Sequence, residues 1–411
     1  MTQRLASPSV DAPALPRRLM LAFMLTTVIA PATMLNKLLF IGLMLWTLRL
    51  LARRREPRPH LFWPAFGVIG IFTYGLLMCL PASNDNALAV QFFLATFVLL
   101  LIHFVEHFRL NMDRAAEICG KAMIVVTVLY WTLALNLEWP YASDIFAWFN
   151  EISMSAASER DFIEGGATLT LALGSVPFLF VPWCLVAVRL FKQPRLADFL
   201  WLVLYGLAIG LSGARGIVVV ALAFLIAASI WLTSLRTRAL IIMGLVAILV
   251  IGVPVLLTTT TLFSSEEVSN AAKIGHFNSF LDALDLSGAL FGNGLGSYYF
   301  SSGKGVSTAH TELTPIDLAR YFGIPMATAF YGLLLLPVGR LGRYSGDHFL
   351  FCFAFLLFLV LSVTNPTLVN SYGMLVVVWY WAKMTDPGRP PTEPTVAATP
   401  ATTTIPSGGL T

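Results

Sequence analysis

Twelve apolar stretches, each close to the length that crosses a lipid bilayer, restrict most strongly what this sequence can fold into. A transmembrane helix needs about 20 mostly apolar residues, and stretches near this length lie at 19–35, 37–52, 61–80, 87–108, 117–136, 167–190, 197–212, 215–234, 239–257, 322–340, 347–364 and 367–384. Only 12% of the 411 residues are charged, roughly half the share of about 25% that is usual in soluble domains. These features exclude an ordinary soluble protein and predict an all-α polytopic membrane protein with about twelve transmembrane helices.

The distribution of Lys and Arg residues indicates how this twelve-helix arrangement is oriented. With a cytoplasmic N-terminus, most of the 26 basic residues fall on the cytoplasmic side, as the positive-inside rule requires. The six that fall on the opposite side are Lys37, Arg160, Arg215, Lys273, Lys304 and Arg320. We therefore predict that both termini are cytoplasmic, and that these six basic residues need a separate explanation.

The same pattern divides the chain into tails, membrane helices and two long outer loops. Residues 1–16 and 385–411 are rich in Pro, Ala, Ser and Thr and are predicted to be disordered cytoplasmic tails, because such a composition cannot bury a core. Between them we expect helices 1–9 over 17–257 with a loop at 137–166, a polar loop over 258–322, and helices 10–12 over 323–384.

The four cysteines show no spacing that is typical of a metal site or a disulfide framework. All lie in or beside apolar stretches without a Cys-x-x-Cys pattern: Cys79, Cys119, Cys184 and Cys352. We interpret them as thiols of the protein core.

The outer loop at 137–166 is acidic and aromatic, and it leaves two interpretations open. Its Trp and Tyr side chains are typical of a membrane interface, which predicts a solvated loop with an interfacial amphipathic helix. The alternative is that its acidic and aromatic side chains contact sugar.

The polar loop at 258–322 is too long to be only a connector, so we expect it to fold on its own or to lie over the membrane surface. It holds ionisable side chains of both signs, namely Lys273, His276, Lys304, His310, Glu312, Asp317 and Arg320. Asp317 and Arg320 are spaced as an i,i+3 ion pair on a helix. His310 and Glu312 are two titratable groups of the kind that transfer protons in enzymes.

A glycine cluster, Gly292-Asn293-Gly294-Leu295-Gly296, lies in the middle of this loop. It resembles a phosphate-binding loop only superficially, because no strand precedes it and no Gly-Lys-Ser/Thr follows. We interpret it as tight turns that bring Tyr298 and Tyr299 to an interface.

Arg215 stands at the outer end of the eighth apolar stretch, in the sequence Ser-Gly-Ala-Arg-Gly that begins at Ser212. An arginine pointing into lipid costs about 2.5 kcal/mol or more. A helix start with small neighbours favours a bound phosphate, whereas the alternative is an interfacial arginine that reaches lipid headgroups. We favour anion binding.

Together these motifs resemble the O-antigen polymerase and O-antigen ligase family of bacterial envelope glycosyltransferases. The resemblance covers about Ser212 to Gly323: Ser-Gly-x-Arg-Gly, a large outer loop, Gly-x-Gly-x-Gly-Ser, and a histidine on the approach to Gly323-Ile324. It implies a C-type membrane glycosyltransferase-like fold in the bacterial inner membrane. It also implies inverting, metal-independent transfer of undecaprenyl diphosphate-linked oligosaccharide at the periplasmic face.

Site residues follow from this resemblance position by position. Arg215 matches the family's diphosphate-binding arginine and His310 its catalytic histidine, while Lys273 stands where many members carry a second arginine. We add Arg320 as a further candidate for the diphosphate, Glu312 as a partner or rival of His310 in proton removal, and Tyr298, Tyr299 and His276 as candidate glycan contacts. Because cationic side chains can counter the charge of the diphosphate and no Asp-x-Asp motif is visible in the outer loops, we predict no metal and no cofactor.

The polymerase and ligase activities remain alternatives at this stage. Ligases commonly follow the histidine with Asn or Ser, whereas here Thr311 and Glu312 follow it and twelve residues separate it from Gly323. The string Glu-Leu-Thr-Pro-Ile-Asp-Leu-Ala-Arg-Tyr-Phe-Gly-Ile looks more like polymerases of O-antigen or exopolysaccharide chains, and a chain-length regulator would then be a partner. The ligase alternative transfers lipid-linked glycan to lipid A-core.

Two other classes of membrane protein fit less well, and nucleic acid is not an expected partner. A twelve-helix transporter would typically show repeat symmetry and charges within its helices. A scaffold protein would not need a basic, histidine-bearing outer loop placed over Arg215.

Overall fold

The computed structural model describes residues 14–53, 59–80, 83–163, 166–247, 268–336 and 346–385. The predicted tails therefore lie outside the described residues with two small exceptions. The first helix begins at Ala14, within the expected N-terminal tail, and the last helix ends at Thr385, the first residue of the expected C-terminal tail. Residues 248–267, which include the end of the ninth predicted span and the first ten residues of the polar loop, also lie outside them, as does the end of the tenth predicted span within 337–345.

Eleven helices precede residue 248 in the described ranges. They are α1 (Ala14–Ile29), α2 (Met34–Arg53), α3 (Pro59–Cys79), α4 (Asn86–Thr96), α5 (Leu101–Phe108), α6 (Met112–Leu135), α7 (Ala142–Ser153), α8 (Phe180–Lys192), α9 (Leu196–Leu211), α10 (Arg215–Leu232) and α11 (Leu235–Ala247). A 3-10 turn, Phe97–Leu100, joins α4 to α5, so the two form one continuous helical stretch.

Six described helices follow residue 267. They are α12 (Val268–Ala283), α13 (Leu286–Phe291), α14 (Thr314–Phe322), α15 (Ile324–Leu335), α16 (Gly346–Thr364) and α17 (Ser371–Thr385). The described part of the polar loop, 268–322, thus contains three helices of its own, together with a short hairpin of strands β3 (Tyr299–Ser301) and β4 (Val306–Thr308).

Six helical stretches of the described chain are long and apolar enough to cross a membrane: Met34–Arg53, His60–Cys79, Asn86–Phe108, Met112–Leu135, Arg215–Leu232 and Asp347–Thr364. Two shorter apolar helices are Leu196–Leu211 and Ile324–Leu335. The structure is therefore that of a mainly helical protein whose apolar helices suit a membrane, and the count of twelve spans stays a prediction.

The sixth predicted span differs from the structure in its first part. Residues 167–172 belong to strand β2 (Gly166–Ala172), which pairs antiparallel with β1 (Ala156–Ile163), and helix α8 begins only at Phe180. The sequence from Ala167 alternates Thr and Leu, a period-two pattern that favours a strand over a helix. The loop at 137–166 also contains helix α7, as one interpretation of its sequence predicted.

Helices α10 and α16 pack side by side in opposite directions. Near the start of α10, Gly216 lies against Thr364 and Leu361 of α16, and near its end the ring of Trp231 stacks on Phe349 at 4.6 Å between centroids. The start of α10 and the end of α16 therefore lie at the same end of the helix bundle.

A cluster of charged side chains lies at the other end of α16. We call it the ionic cluster; it lines a cavity of about 580 Å³ and includes Asp113, Glu117, Arg189, Lys192, Asp347 and Lys383. Its ion pairs join different helices, as when Arg189 contacts Glu117 of α6 at 2.7 Å. The ionic cluster thus brings together basic residues that the sequence predicted on the cytoplasmic side of the membrane. The start of α10 lies at the opposite end of α16, whose 19 residues span about 28 Å at roughly 1.5 Å per residue.

Candidate functional site

The glycine cluster joins the polar loop to the helix bundle through its backbone. Gly292, Gly294 and Gly296 have φ values of 74°, 82° and 68°, which favour glycine. A Cβ on Gly292 would lie 2.5 Å from the backbone of Tyr321, and one on Gly294 would lie 2.8 Å from the backbone at Cys79. These glycines are therefore required for close packing of the loop between α3 and α14.

Hydrogen bonds hold the same cluster in place. The N–H of Asn293 donates to the carbonyl of Arg320 at 2.8 Å, and the N–H of Leu295 donates to the carbonyl of Gly75 at 2.9 Å. The side chain of Asn84, just before α4, donates to the carbonyls of Asn293 and Leu295. The cluster thus fixes α14 against the ends of α3 and α4.

Arg320, expected to bind diphosphate, instead lies inside the loop with an exposed fraction of 4%. Its two terminal nitrogens donate to three carbonyls and one carboxylate, those of Ser297, Thr308, Ala309 and Asp317. Its guanidinium also lies over the rings of Tyr299 and Tyr321, at 4.5 and 4.9 Å from their centroids. Because its two terminal nitrogens are engaged and the side chain is buried, Arg320 holds the loop together, and this geometry opposes the predicted diphosphate contact.

His310 lies beside Asp317, on the loop that leads into α14. Nδ1 of His310 is 2.9 Å from Oδ2 of Asp317, although the ring is turned so that the contact is not a straight hydrogen bond. Nδ1 is buried, whereas the side chain as a whole is 31% exposed, so the exposure falls on the part of the ring that carries Nε2. The ring packs against that of Phe92 in α4 in a T-shaped arrangement, with 5.3 Å between centroids.

Asp317 is well placed to orient the histidine because its own carboxylate is fixed. Its Oδ1 accepts from Arg320 at 2.9 Å, which confirms the predicted i,i+3 pair, and its Oδ2 accepts from the N–H of Thr311 at 2.8 Å. A buried carboxylate that accepts from two donors and lies beside an imidazole can hold that ring in one tautomer. Nε2 is then left as the proton acceptor.

Glu312, which the sequence suggested as the orienting group, faces a different residue. Its Oε2 lies 3.5 Å from Nζ of Lys273 on α12, and its side chain is half exposed. Because an exposed ion pair of this kind contributes only about 0–1 kcal/mol, Lys273 can exchange this carboxylate for another anion at small cost. The contact to His310 comes from Asp317 rather than from Glu312.

Arg215 is the first residue of α10, as the sequence predicted for a helix start. The preceding Gly213 has a φ of 63°, and a Cβ there would lie 2.6 Å from the side chain of Thr170. The following Gly216 lies so close to α16 that a Cβ would be 3.0 Å from Nδ2 of Asn365. Arg215 is thereby fixed at the end of the bundle where α16 finishes.

Asn365 connects this end of α10 with the histidine loop. Its backbone carbonyl accepts from Oγ1 of Thr314 at 3.3 Å, and Thr314 is the first residue of α14. Gly216 and Thr314 thus both contact Asn365, which brings the segments of Arg215 and His310 to one region.

The three candidate glycan contacts have very different surroundings. Tyr298 is exposed, whereas Tyr299 is buried under Arg320 and burial raises its pKa to about 12. His276 is only 1% exposed; its Nδ1 lies 2.6 Å from Oγ of Ser301 and 3.1 Å from the hydroxyl of Tyr299. Burial, with the nearby charge of Lys304, lowers the pKa of His276. Tyr299 and His276 therefore belong to the interior of the loop, and of the three side chains only that of Tyr298 faces outward.

Asp317 and Asn365 are the site residues whose roles the sequence did not reveal. Asp317 was recognisable only as the partner of Arg320, because its second contact depends on how the chain turns after His310. Asn365 lies in the turn after α16 and gave no sequence signal.

The described ranges contain no group of three or more His, Cys, Asp or Glu side chains placed to hold a metal ion. Comparisons with protein-family models, with curated proteins and with solved structures found no match to this chain.

Proposed function

We propose that this protein is a membrane glycosyltransferase that polymerises undecaprenyl diphosphate-linked oligosaccharide repeat units of an O-antigen or exopolysaccharide at the periplasmic face. The observation that carries the proposal is the pairing of the partly exposed His310 with the buried Asp317. The link through Asn365 to the helix that begins at Arg215 adds a cation at the start of a helix to the same region.

In this mechanism a sugar hydroxyl of one lipid-linked chain attacks the anomeric carbon of another. The bond between that carbon and the diphosphate oxygen breaks, its electron pair leaves with the diphosphate, and the hydroxyl proton passes to Nε2 of His310. Asp317 stabilises the imidazolium that forms, in the way that a buried carboxylate supports a catalytic histidine.

Charge on the departing diphosphate is countered by cationic side chains. Arg215 presents a planar fork of donors that suits phosphate oxygens, and it begins a helix whose N-terminal dipole favours an anion. When the donor binds, Lys273 exchanges the carboxylate of Glu312 for the diphosphate and acts together with Arg215. Arg320 is outside this set because its side chain is buried and its two terminal nitrogens are engaged within the loop.

The test is a transfer assay with purified protein in proteoliposomes and a lipid-linked oligosaccharide donor. The native protein should convert the donor into a ladder of longer chains, and His310→Ala should lose about 10²- to 10⁴-fold in rate, the usual contribution of a general base. Addition of lipid A-core distinguishes the ligase alternative, in which glycan is transferred to that acceptor without a ladder. Chelator should leave the rate unchanged, and a strict dependence on divalent cations would contradict a metal-independent step.

Arg215→Lys provides the second arm of the test. It keeps the charge but removes the bidentate fork, so most of the activity should be lost while membrane insertion stays normal. If the Arg215→Lys variant polymerises the donor at the native rate, the diphosphate is bound by other residues.

A further inference from the structure

Helix α12 turns three large apolar side chains outward and hydrogen-bonding side chains inward. Ile274, Phe277 and Leu281 recur at helical spacing on one face and are all about half exposed, with Phe277 at 49%. The opposite face carries His276 and Ser279, which make hydrogen bonds to the β3–β4 hairpin. We call the first set the α12 apolar face.

This arrangement is the reverse of the one expected for a helix at a surface that faces water. A helix that lies between a protein core and water places its apolar residues inward and its polar residues outward. Here the contact with the hairpin is so close that a Cβ on Gly275 would lie 2.4 Å from Gly303. The inward side of α12 is thus fixed by packing and hydrogen bonds, and rotation of the helix cannot hide the apolar face.

The adjoining hairpin shows the same inversion. In β3, the flanking Tyr299 and Ser301 are buried, while Phe300 between them is 62% exposed. The polar loop therefore buries its hydrogen-bonding groups and presents large apolar side chains on more than one element.

The exposed apolar surface continues from α12 to a helix that is apolar enough to span a membrane. Helix α13 follows directly and exposes Leu286, Leu290 and Phe291. The carbonyl of Phe291 accepts from the hydroxyl of Tyr74 in α3 at 2.8 Å. Beyond Tyr74 the end of α3 exposes Leu77, so large apolar side chains are exposed on α12, on α13 and on the end of α3 that α13 contacts.

We propose that the α12 apolar face lies against the phospholipid bilayer, at the boundary of headgroups and acyl chains on the side of the membrane where His310 lies. The contact of α13 with the exposed end of α3, a helix long and apolar enough to cross a membrane, selects lipid as the occupant. Helices that lie in this layer insert their apolar face and keep polar groups away from the acyl chains. This inference is independent of the proposed transfer activity.

The experiment uses nitroxide labels on single cysteines of the full-length protein in phosphatidylcholine vesicles. Phe277→Cys places the label on the α12 apolar face, and Asn278→Cys places it on the adjacent exposed polar position of the same helix. All four native cysteines are buried, and the unsubstituted protein treated with the same reagent gives the background. Collision rates with oxygen and with a water-soluble nickel chelate are then compared by power saturation.

The label at position 277 should collide several-fold less with the nickel chelate than the label at 278, and more with oxygen. Equal access of both positions to the nickel chelate would place α12 in water and overturn the proposal. Shielding of position 277 from both reagents would also overturn it and would identify a protein partner, including a second copy of this chain. Leu281→Cys repeats the comparison if the protein with Phe277→Cys does not fold.

Discussion

Oδ2 of Asp317 lies 2.9 Å from Nδ1 of His310, whereas Glu312, only two residues from the histidine, faces Lys273 at 3.5 Å. The carboxylate that is nearer in sequence is therefore not the one that contacts the imidazole. Because Asp317 is buried and also bound by Arg320, it couples the histidine to the interior of the polar loop.

The first prediction compares these two carboxylates. Asp317→Asn should lower transfer by about 10²-fold or more, because the ring loses the charge that stabilises its protonated form. Glu312→Gln should change the rate by less than about tenfold, since it removes a weak surface pair. The rates of both variants are compared with that of the native protein in the same proteoliposomes. The reverse ranking would assign proton removal to Glu312.

The second prediction concerns Arg320 as a structural residue. Arg320→Met leaves the buried Asp317 carboxylate without its countercharge, which typically costs about 3–5 kcal/mol, so thermal unfolding in detergent should occur at a clearly lower temperature. Lys304→Met removes an exposed basic residue of the same loop and should change stability by only about 0.5 kcal/mol. If Arg320→Met unfolds like the native protein but fails to bind donor, the diphosphate role predicted from the sequence is correct after all.

The third prediction tests the contact between α10 and Asn365. A Cβ on Gly216 would lie 3.0 Å from Nδ2 of Asn365, so Gly216→Ala should push α10 from α16 and displace Arg215. The contact requires a shift of a few tenths of an ångström, and since a misplacement of roughly 1 Å can cost about 10²-fold in rate, the rate should fall several-fold. Gly210→Ala is the matched control, because no atom lies within 4 Å of the added Cβ. Equal activity of the two variants would contradict a role for this contact.

The fourth prediction follows from the lowered pKa of His276. Because the unfolded chain binds the proton more readily than the folded one, this histidine contributes stability above its unfolded pKa, about 6.5, and that stability is lost as pH falls. The unfolding temperature of the native protein should therefore decrease between pH 7.5 and 5.5 more than that of His276→Gln. Parallel curves for the two proteins would show that His276 titrates equally in both states. The charged groups that act on it, Lys304, Asp317, Glu312 and Arg320, are unchanged in this comparison.

The fifth prediction concerns the orientation in the membrane. If the polar loop is periplasmic, Ser307→Cys in the exposed part of β4 should react with a membrane-impermeant thiol reagent in intact cells. Ser234→Cys, between α10 and α11, should react only after the cells are permeabilised. Labelling in the opposite pattern would invert the topology and remove the periplasmic site.

The sequence by itself determined the features that depend on local composition. The apolar stretches predicted helices whose bounds mostly agree with the structure, because partition into an apolar environment depends on a run of neighbouring side chains. The start of α10 at Arg215 and the pairing of Asp317 with Arg320 were likewise predictable, since glycine neighbours and i,i+3 spacing act within one or two turns.

Only the tertiary structure decided which of the loop's polar residues face outward and which are buried. Arg320 and His276 have the residue types of ligand-binding groups, but the docking of the glycine cluster and of the hairpin places both inside the loop. The strand at 166–172 forms because a partner at 156–163 pairs with it. Two contacts of the site, that of Asp317 with His310 and that of Asn365 with Gly216, depend on where separate segments of the chain meet. Packing brings these segments together, and no local sequence pattern encodes the distance between them.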